Sequence, residues 1–90
     1  MNVQAKVAQI IIDAVELESH TAENFPYDAL LFDAHEDGGL GFDSITSLEI
    51  VSRLAEAFPI DFDDIGGDDL ASVNAIVGYI ERKRAELSAR

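Results

Sequence analysis

The chain has 90 residues, a length that accommodates one domain with a small core. Its apolar content of 48% excludes a disordered tail. Eighteen acidic residues against six basic ones give a net charge of −12, so nucleic acid and anionic membrane are not expected partners. No apolar run approaches the roughly 20 residues of a membrane span, and the sequence shows neither a signal peptide nor a cysteine. A cytoplasmic protein is therefore expected.

The first predicted element is a helix over about residues 3–18. Its apolar residues recur at the spacing of one helical face: Val3, Val7, Ile10, Ile11 and Val15. A long connection follows over residues 19–43, where Pro26 and three glycines oppose regular structure. It also carries Phe25, Tyr27, Leu30, Leu31 and Phe32. So many apolar residues predict that the connection packs over the helices.

A second helix is predicted from Ser44 to Ala57, before Pro59. Its apolar stripe comprises Ile45, Leu48, Val51, Leu54 and Phe58. We expect Val51, Leu54 and Phe58 to face the core, whereas Ile50 lies off the stripe.

A single helical turn is expected near residues 67–71, and the last helix starts after Ser72, a good N-cap. Arg82, Lys83 and Arg84 are placed in its last turns, where cations oppose the negative end of the helix dipole. No segment alternates as a strand would. The predicted fold is all-α, a small bundle of three main helices plus one short helix.

The most informative segment is Leu40-Gly41-Phe42-Asp43-Ser44-Ile45, because a helix-period run begins at its serine. A helix N-terminus presents free backbone N–H groups and favours an anion, so a phosphate attached to Ser44 would be well placed. No activating base is evident, since His20 and His35 lie in or beside the long connection and Gly-x-Ser-x-Gly is absent. Self-contained catalysis is therefore not expected.

Two acid-rich segments, Asp33–Ser44 and Asp61–Ser72, invite comparison with calcium-binding loops. Each ends in serine where such a loop has a bidentate glutamate, and each fails at one more ligand position, with His35 at position 3 of the first and Ile65 at position 5 of the second. The chain also lacks a Cys/His set for zinc. No metal site is predicted.

The segment Gly39-Leu40-Gly41-Phe42-Asp43-Ser44-Ile45 resembles the Gly-Leu-Gly-Leu-Asp-Ser-Ile signature of free-standing members of the acyl carrier protein family. The resemblance covers about residues 3–84 and implies a carrier, not an enzyme. Ser44 would bear 4′-phosphopantetheine added by a phosphopantetheinyl transferase, and Asp43 would help that transferase and its metal engage. The arm would carry acyl groups as thioesters between enzymes of fatty-acid or polyketide biosynthesis.

The resemblance also implies a partner surface. Ile45 and Leu48 would touch partner enzymes, and Glu49 and Glu56, two turns apart on one face, would meet basic residues. These enzymes would include an acyltransferase or acyl-activating enzyme and a ketosynthase with basic docking patches. The alternative is that both glutamates are only solvated. Glu16 and Glu18, at the end of the first helix, are expected to lie away from the arm.

The sequence departs from the family at two places. Residues 34–39 lengthen the connection before the motif, and Arg53 places a positive charge on the second helix, which leaves partner choice open. The alternatives are a peptidyl carrier of a nonribosomal pathway and an acidic helical interaction module without cofactor. The net charge of −12 favours the acyl carrier. Residues 1–90 are expected to form a single carrier domain, a monomer.

Overall fold

The computed structural model describes residues 2–16, 21–32, 41 and 43–88, with the side chains of Ser44 and Ser88 excepted. This part of the chain contains three helices: α1 (Val3–Val15), α2 (Ser44–Ala57) and α3 (Val73–Ser88). All of its regular secondary structure is helical, as predicted. The fourth short helix is not confirmed, because residues 67–71 form hydrogen-bonded turns after Gly66 and Gly67, two residues that weaken a helix.

Helix α1 begins at Asn2, whose side chain accepts a hydrogen bond of 2.7 Å from the Ala5 N–H. It ends when Glu16 adopts the left-handed conformation with φ of 53°, a common way to close a helix. The predicted end near residue 18 is therefore wrong. Residues 17–20, with Glu18 and His20, lie outside the described part of the chain.

Helix α2 has the predicted bounds, but the predicted phase of its buried face needs correction. Ile50 is fully buried, together with Leu54 and Phe58, so the core stripe follows i, i+4 and i+8. Val51 is only partly buried and packs at the margin of the core. The helix is apolar on several sides, and its packing against α1 decides which residues are covered.

The core lies where α1 packs against both α2 and α3. Its buried members are Ala5, Val7, Ala8, Ile11, Ile12, Ala22, Phe25, Leu31, Ile50, Leu54, Phe58, Phe62, Leu70, Val73, Ile76, Tyr79 and Ile80. Phe25 and Leu31 come from the connection between α1 and α2, which confirms that its described part packs over the helices. Leu30 is the exception at 42% exposed.

Backbone hydrogen bonds tie that connection to the start of α3. The Leu31 N–H donates to the Ala71 carbonyl at 2.8 Å, and the Asn74 N–H donates to the Tyr27 carbonyl at 3.1 Å. A loop held in this way satisfies backbone groups that burial would otherwise leave unpaired.

Several residues of α1 lie beside the end of α2. The Lys6 ammonium lies 4.9 Å from the centroid of the Phe58 ring, beyond the end of α2. About two turns further along α1, Asp13 lines a groove with Arg53, Glu56 and Ala57. Helix α1 therefore packs against the last two turns of α2. The expectation that Glu16 lies away from Ser44 stays a prediction.

Helix α3 starts as predicted, because the Ala75 N–H donates to the Ser72 hydroxyl oxygen at 3.1 Å. It continues to Ser88, so Arg82, Lys83 and Arg84 lie in its last two turns as predicted, but no basic residue lies in the final turn, where the helix dipole acts most strongly. Lys83 instead pairs with Asp64 at 2.9 Å, and Arg84 lies 5.3 Å from the centroid of the Phe58 ring.

The segment between α2 and α3 is fastened to α3 through Tyr79. The Tyr79 hydroxyl lies 2.6 Å from Asp64 Oδ1 and 2.8 Å from the Asp61 carbonyl oxygen, and its ring stacks on Phe62 at 5.7 Å. The hydroxyl, and then Lys83, lower the pKa of Asp64 to about 2. Asp64 therefore stays ionised well into the acidic pH range.

No helix in the described part of the chain is long and apolar enough to cross a membrane.

Candidate attachment site and docking face

The start of α2 is fixed by Asp43, which is its N-cap and has extended backbone. Asp43 Oδ1 accepts a hydrogen bond from the Thr46 N–H at 2.8 Å and one from the Thr46 hydroxyl at 2.9 Å. The Ser47 N–H donates to the Asp43 carbonyl at 3.2 Å. Ser44 is thus the first residue of the helix, one position after the cap.

This end of the helix has two opposing charges. The hydrogen bond from the Thr46 N–H, followed by that from its hydroxyl, holds the pKa of Asp43 below its usual range, so the carboxylate is ionised at neutral pH. The N–H groups of the first turn point out of the helix end and, together with the helix dipole, give partial positive charge at the same place. An anion on the neighbouring residue would be stabilised by the helix end while lying beside a carboxylate.

Gly41 leads the chain into this site with φ of 71°, in the left-handed region where residues with a Cβ are strained. Residues 33–40, which include His35 and the extension at 34–39, lie outside the described part of the chain. Within the described part, no group of three or more His, Cys, Asp or Glu side chains could hold a metal ion.

The four residues predicted to contact partners all lie on the outer side of α2. Ile45 is 75% exposed and Leu48 is 72% exposed, which is unusual for large apolar side chains. Glu49 and Glu56 are exposed beside them. On a helical wheel the four fall within a sector of about 100°, opposite the buried stripe. We call this surface, defined by these four residues, the α2 face.

The sequence did not indicate which contacts two further residues of this site make. Thr46 supports the capping carboxylate through its backbone and its hydroxyl, and only the Asp-x-x-Thr spacing of cap and third helical residue could have suggested it. Arg53 binds Glu49 through an ion pair of 2.8 Å between Nε and Oε1. The sequence shows the i, i+4 spacing of that pair. It does not show that the ion pair engages one of the two carboxylates of the α2 face.

The family comparison decides what this arrangement belongs to. Residues 32–80, more than half of the chain, match the family described as phosphopantetheine attachment site. An acyl carrier protein from Desulforapulum autotrophicum is 36% identical over 83 residues, covering 92% of this chain and 99% of the relative. The chain belongs to the acyl carrier protein family. This membership confirms the predicted resemblance along nearly the whole chain.

Two further relatives are also named acyl carrier proteins. An acyl carrier protein from Akkermansia muciniphila is 33% identical over 81 residues, covering 90% of this chain and 91% of the relative. One from Prochlorococcus marinus is 30% identical over 79 residues, covering 88% of this chain and 89% of the relative. No solved structure matches the carrier.

Family membership establishes a carrier that is not a catalyst, that uses 4′-phosphopantetheine, and that acts with a phosphopantetheinyl transferase and biosynthetic enzymes. The start of α2 fits that group, because a phosphate there meets the positive end of a helix whose cap is already formed by Asp43. When bound, the group supplies a thiol that holds an acyl chain as a thioester. The protein contributes a fixed attachment point and a surface for partners.

Proposed function

We propose that Ser44 is the residue to which 4′-phosphopantetheine is attached. The observation that supports this most directly is the helix start itself, where Ser44 follows the Asp43 cap as the first residue of α2. The N–H groups of the first turn would stabilise the phosphodiester. Asp43 is exposed and ionised, so we propose that it engages the transferase and its metal.

The attachment is tested by intact mass after incubation with coenzyme A and a phosphopantetheinyl transferase. The unsubstituted chain is expected to gain the mass of phosphopantetheine, whereas Ser44→Ala is expected to gain none. Because Asp43 and not Ser44 forms the cap, Ser44→Ala should keep the fold. Ser52→Ala, an exposed serine on the same helix, is the matched control and should be modified normally. Modification of the Ser44→Ala variant would contradict the assignment.

We propose further that the carrier serves fatty-acid or polyketide biosynthesis. Its relatives are named acyl carrier proteins, and its net charge of −12 favours enzymes with basic docking patches. An acyltransferase or acyl-activating enzyme and a ketosynthase are the proposed partners besides the transferase. The helices share one core, which supports a single carrier domain over residues 1–90. We propose that it works as a monomer in the cytoplasm.

The α2 face is the proposed docking surface. Exposed apolar side chains at Ile45 and Leu48 can be covered by a partner, and two carboxylates beside them can orient it. Exchanging Glu49 and Glu56 for lysine should weaken association with the transferase, measured as a slower association rate. Each exposed pair is worth at most about 1 kcal/mol, so the loss should be graded and smaller at high salt.

The matched control reverses two exposed acids elsewhere, Asp68 before α3 and Glu81 on α3, and changes the net charge equally. It should slow association less than the change at the α2 face. Equal losses from the two variants would show that net charge alone drives docking.

A further inference from the structure

A groove of about 240 Å³ separates α1 from α2 on the surface of the bundle. It is lined by Ile10 and Asp13 of α1 and by Arg53, Glu56 and Ala57 of α2. Ile10 and Ala57 are partly buried against the core, whereas Asp13 and Glu56 are exposed. The groove therefore combines apolar surface with one carboxylate from each helix.

The cation in this groove is already engaged elsewhere. Arg53 Nε lies 2.8 Å from Glu49 Oε1, and Glu49 is one turn nearer the start of α2. Glu56 lies three residues in the opposite direction along the helix. Arg53 therefore forms its ion pair with Glu49, and none is present between Arg53 and Glu56, which both lie in the described part of the chain.

Neither carboxylate of the groove has a cationic partner among the residues that the structure describes. Glu56 makes no ion pair there, and Asp13 accepts a hydrogen bond of 2.9 Å from the side-chain amide of Gln9. Lys6 lies on the same helix as Asp13, but its ammonium lies 4.9 Å from the centroid of the Phe58 ring. The groove thus has the charge that a cation would neutralise.

We propose that the groove between α1 and α2 receives a lysine or arginine side chain of the enzyme that docks on the α2 face. The aliphatic stem of such a side chain would pack on Ile10 and Ala57, and its charged head would lie between Asp13 and Glu56. The docking surface then extends from α2 onto α1. This inference rests on the proposed docking role of α2 and names the basic group that its far end recognises.

The pairing of Arg53 gives the proposal a second, independent consequence. If Glu49 loses its charge, Arg53 is free to pair with Glu56 at i, i+3 and so to occupy the groove. Glu49→Gln should therefore weaken binding. Adding Arg53→Gln should recover the part of the binding that is lost through Arg53, and the loss that remains is the direct contribution of Glu49 to the α2 face.

The test measures binding of a purified phosphopantetheinyl transferase by calorimetry, with every variant made in the Ser44→Ala background so that no transfer is needed. Asp13→Asn with Glu56→Gln should raise Kd roughly three- to tenfold, since each exposed ion pair is worth a few-fold. The control, Asp68→Asn with Glu81→Gln, removes the same charge and should raise Kd less than about twofold.

The possible outcomes test the groove proposal separately from the attachment proposal. A larger rise for the groove pair than for the control pair supports the groove, provided that the Glu49→Gln, Arg53→Gln double variant also binds more tightly than Glu49→Gln alone. Equal rises, or no effect of Asp13→Asn alone, overturn it. Absence of binding by the parent Ser44→Ala chain also overturns it. Failure of Ser44 modification in the mass experiment instead refutes the attachment proposal and leaves the binding result standing.

Discussion

Three neighbouring positions of α2 test which face of the helix is buried. Leu48 is 72% exposed, Ile50 is 0% exposed, and Val51 is partly buried at the margin of the core. Replacing each by alanine keeps or improves helix propensity at all three. Differences in stability among the variants therefore report burial.

The expected magnitudes differ enough to be separated. Ile50→Ala removes three buried carbons at roughly 0.8 kcal/mol each and leaves a cavity, so we expect a loss of about 2–5 kcal/mol. Val51→Ala removes two carbons that are only partly buried and should cost about 1 kcal/mol. Leu48→Ala should stay within about 0.5 kcal/mol of the parent, as exposed substitutions do.

Urea unfolding at neutral pH, followed by circular dichroism of the helices, measures all three. Slopes that stay equal would show that the midpoints report stability and not a changed unfolded state. The expected order of loss is Ile50, then Val51, then Leu48. A loss at Val51 as large as that at Ile50 would refute the buried stripe, and a large loss at Leu48 would refute its exposure.

The other predictions concern polar contacts. Asp43→Ala should slow modification by the transferase at least tenfold while costing only about 1 kcal/mol of stability, the value of a cap, and unchanged modification kinetics would contradict its role. Tyr79→Phe should cost about 1–2 kcal/mol in urea unfolding by removing the hydroxyl bond to Asp64, and an unshifted midpoint would contradict that contact. The folded-state pKa of Asp64 is about 2, below its ordinary value of 3.8, so its contribution is complete above pH 4 and is lost as pH falls toward 2. Asp64→Asn should therefore lower the melting temperature relative to the parent at neutral pH, and the difference should shrink on acidification.

Much of the fold could be predicted because residues at the ends of the helices determine where each helix begins or stops. Asp43 and Pro59 bracket α2, and Ser72 caps α3 as its residue type suggests. The phase of α2 could not be predicted in the same way. Apolar residues occur on several of its sides, and only packing against α1 buries Ile50 and leaves Leu48 exposed.

The candidate site also has one part that the sequence predicts and another that depends on how the helices pack. The attachment motif and the α2 face are read from consecutive residues of one helix. The groove needs Asp13 beside Glu56, and these residues meet only because α1 packs against the last turns of α2. A sequence does not state which turns of two helices meet when a long connection joins them. Arg53 shows the same limit, since its spacing from Glu49 and from Glu56 permits either ion pair.

The backbone bonds between the long connection and the start of α3 have a consequence for how the protein opens. Leu31 and Asn74 lie far apart in the chain, yet each donates its amide hydrogen across the same junction. Neither amide can exchange with solvent unless that junction separates. Local unfolding proceeds in cooperative units, so the described part of the connection and the first turn of α3 belong to one such unit. Fluctuations that release the loop before α2 must therefore also loosen the beginning of the last helix.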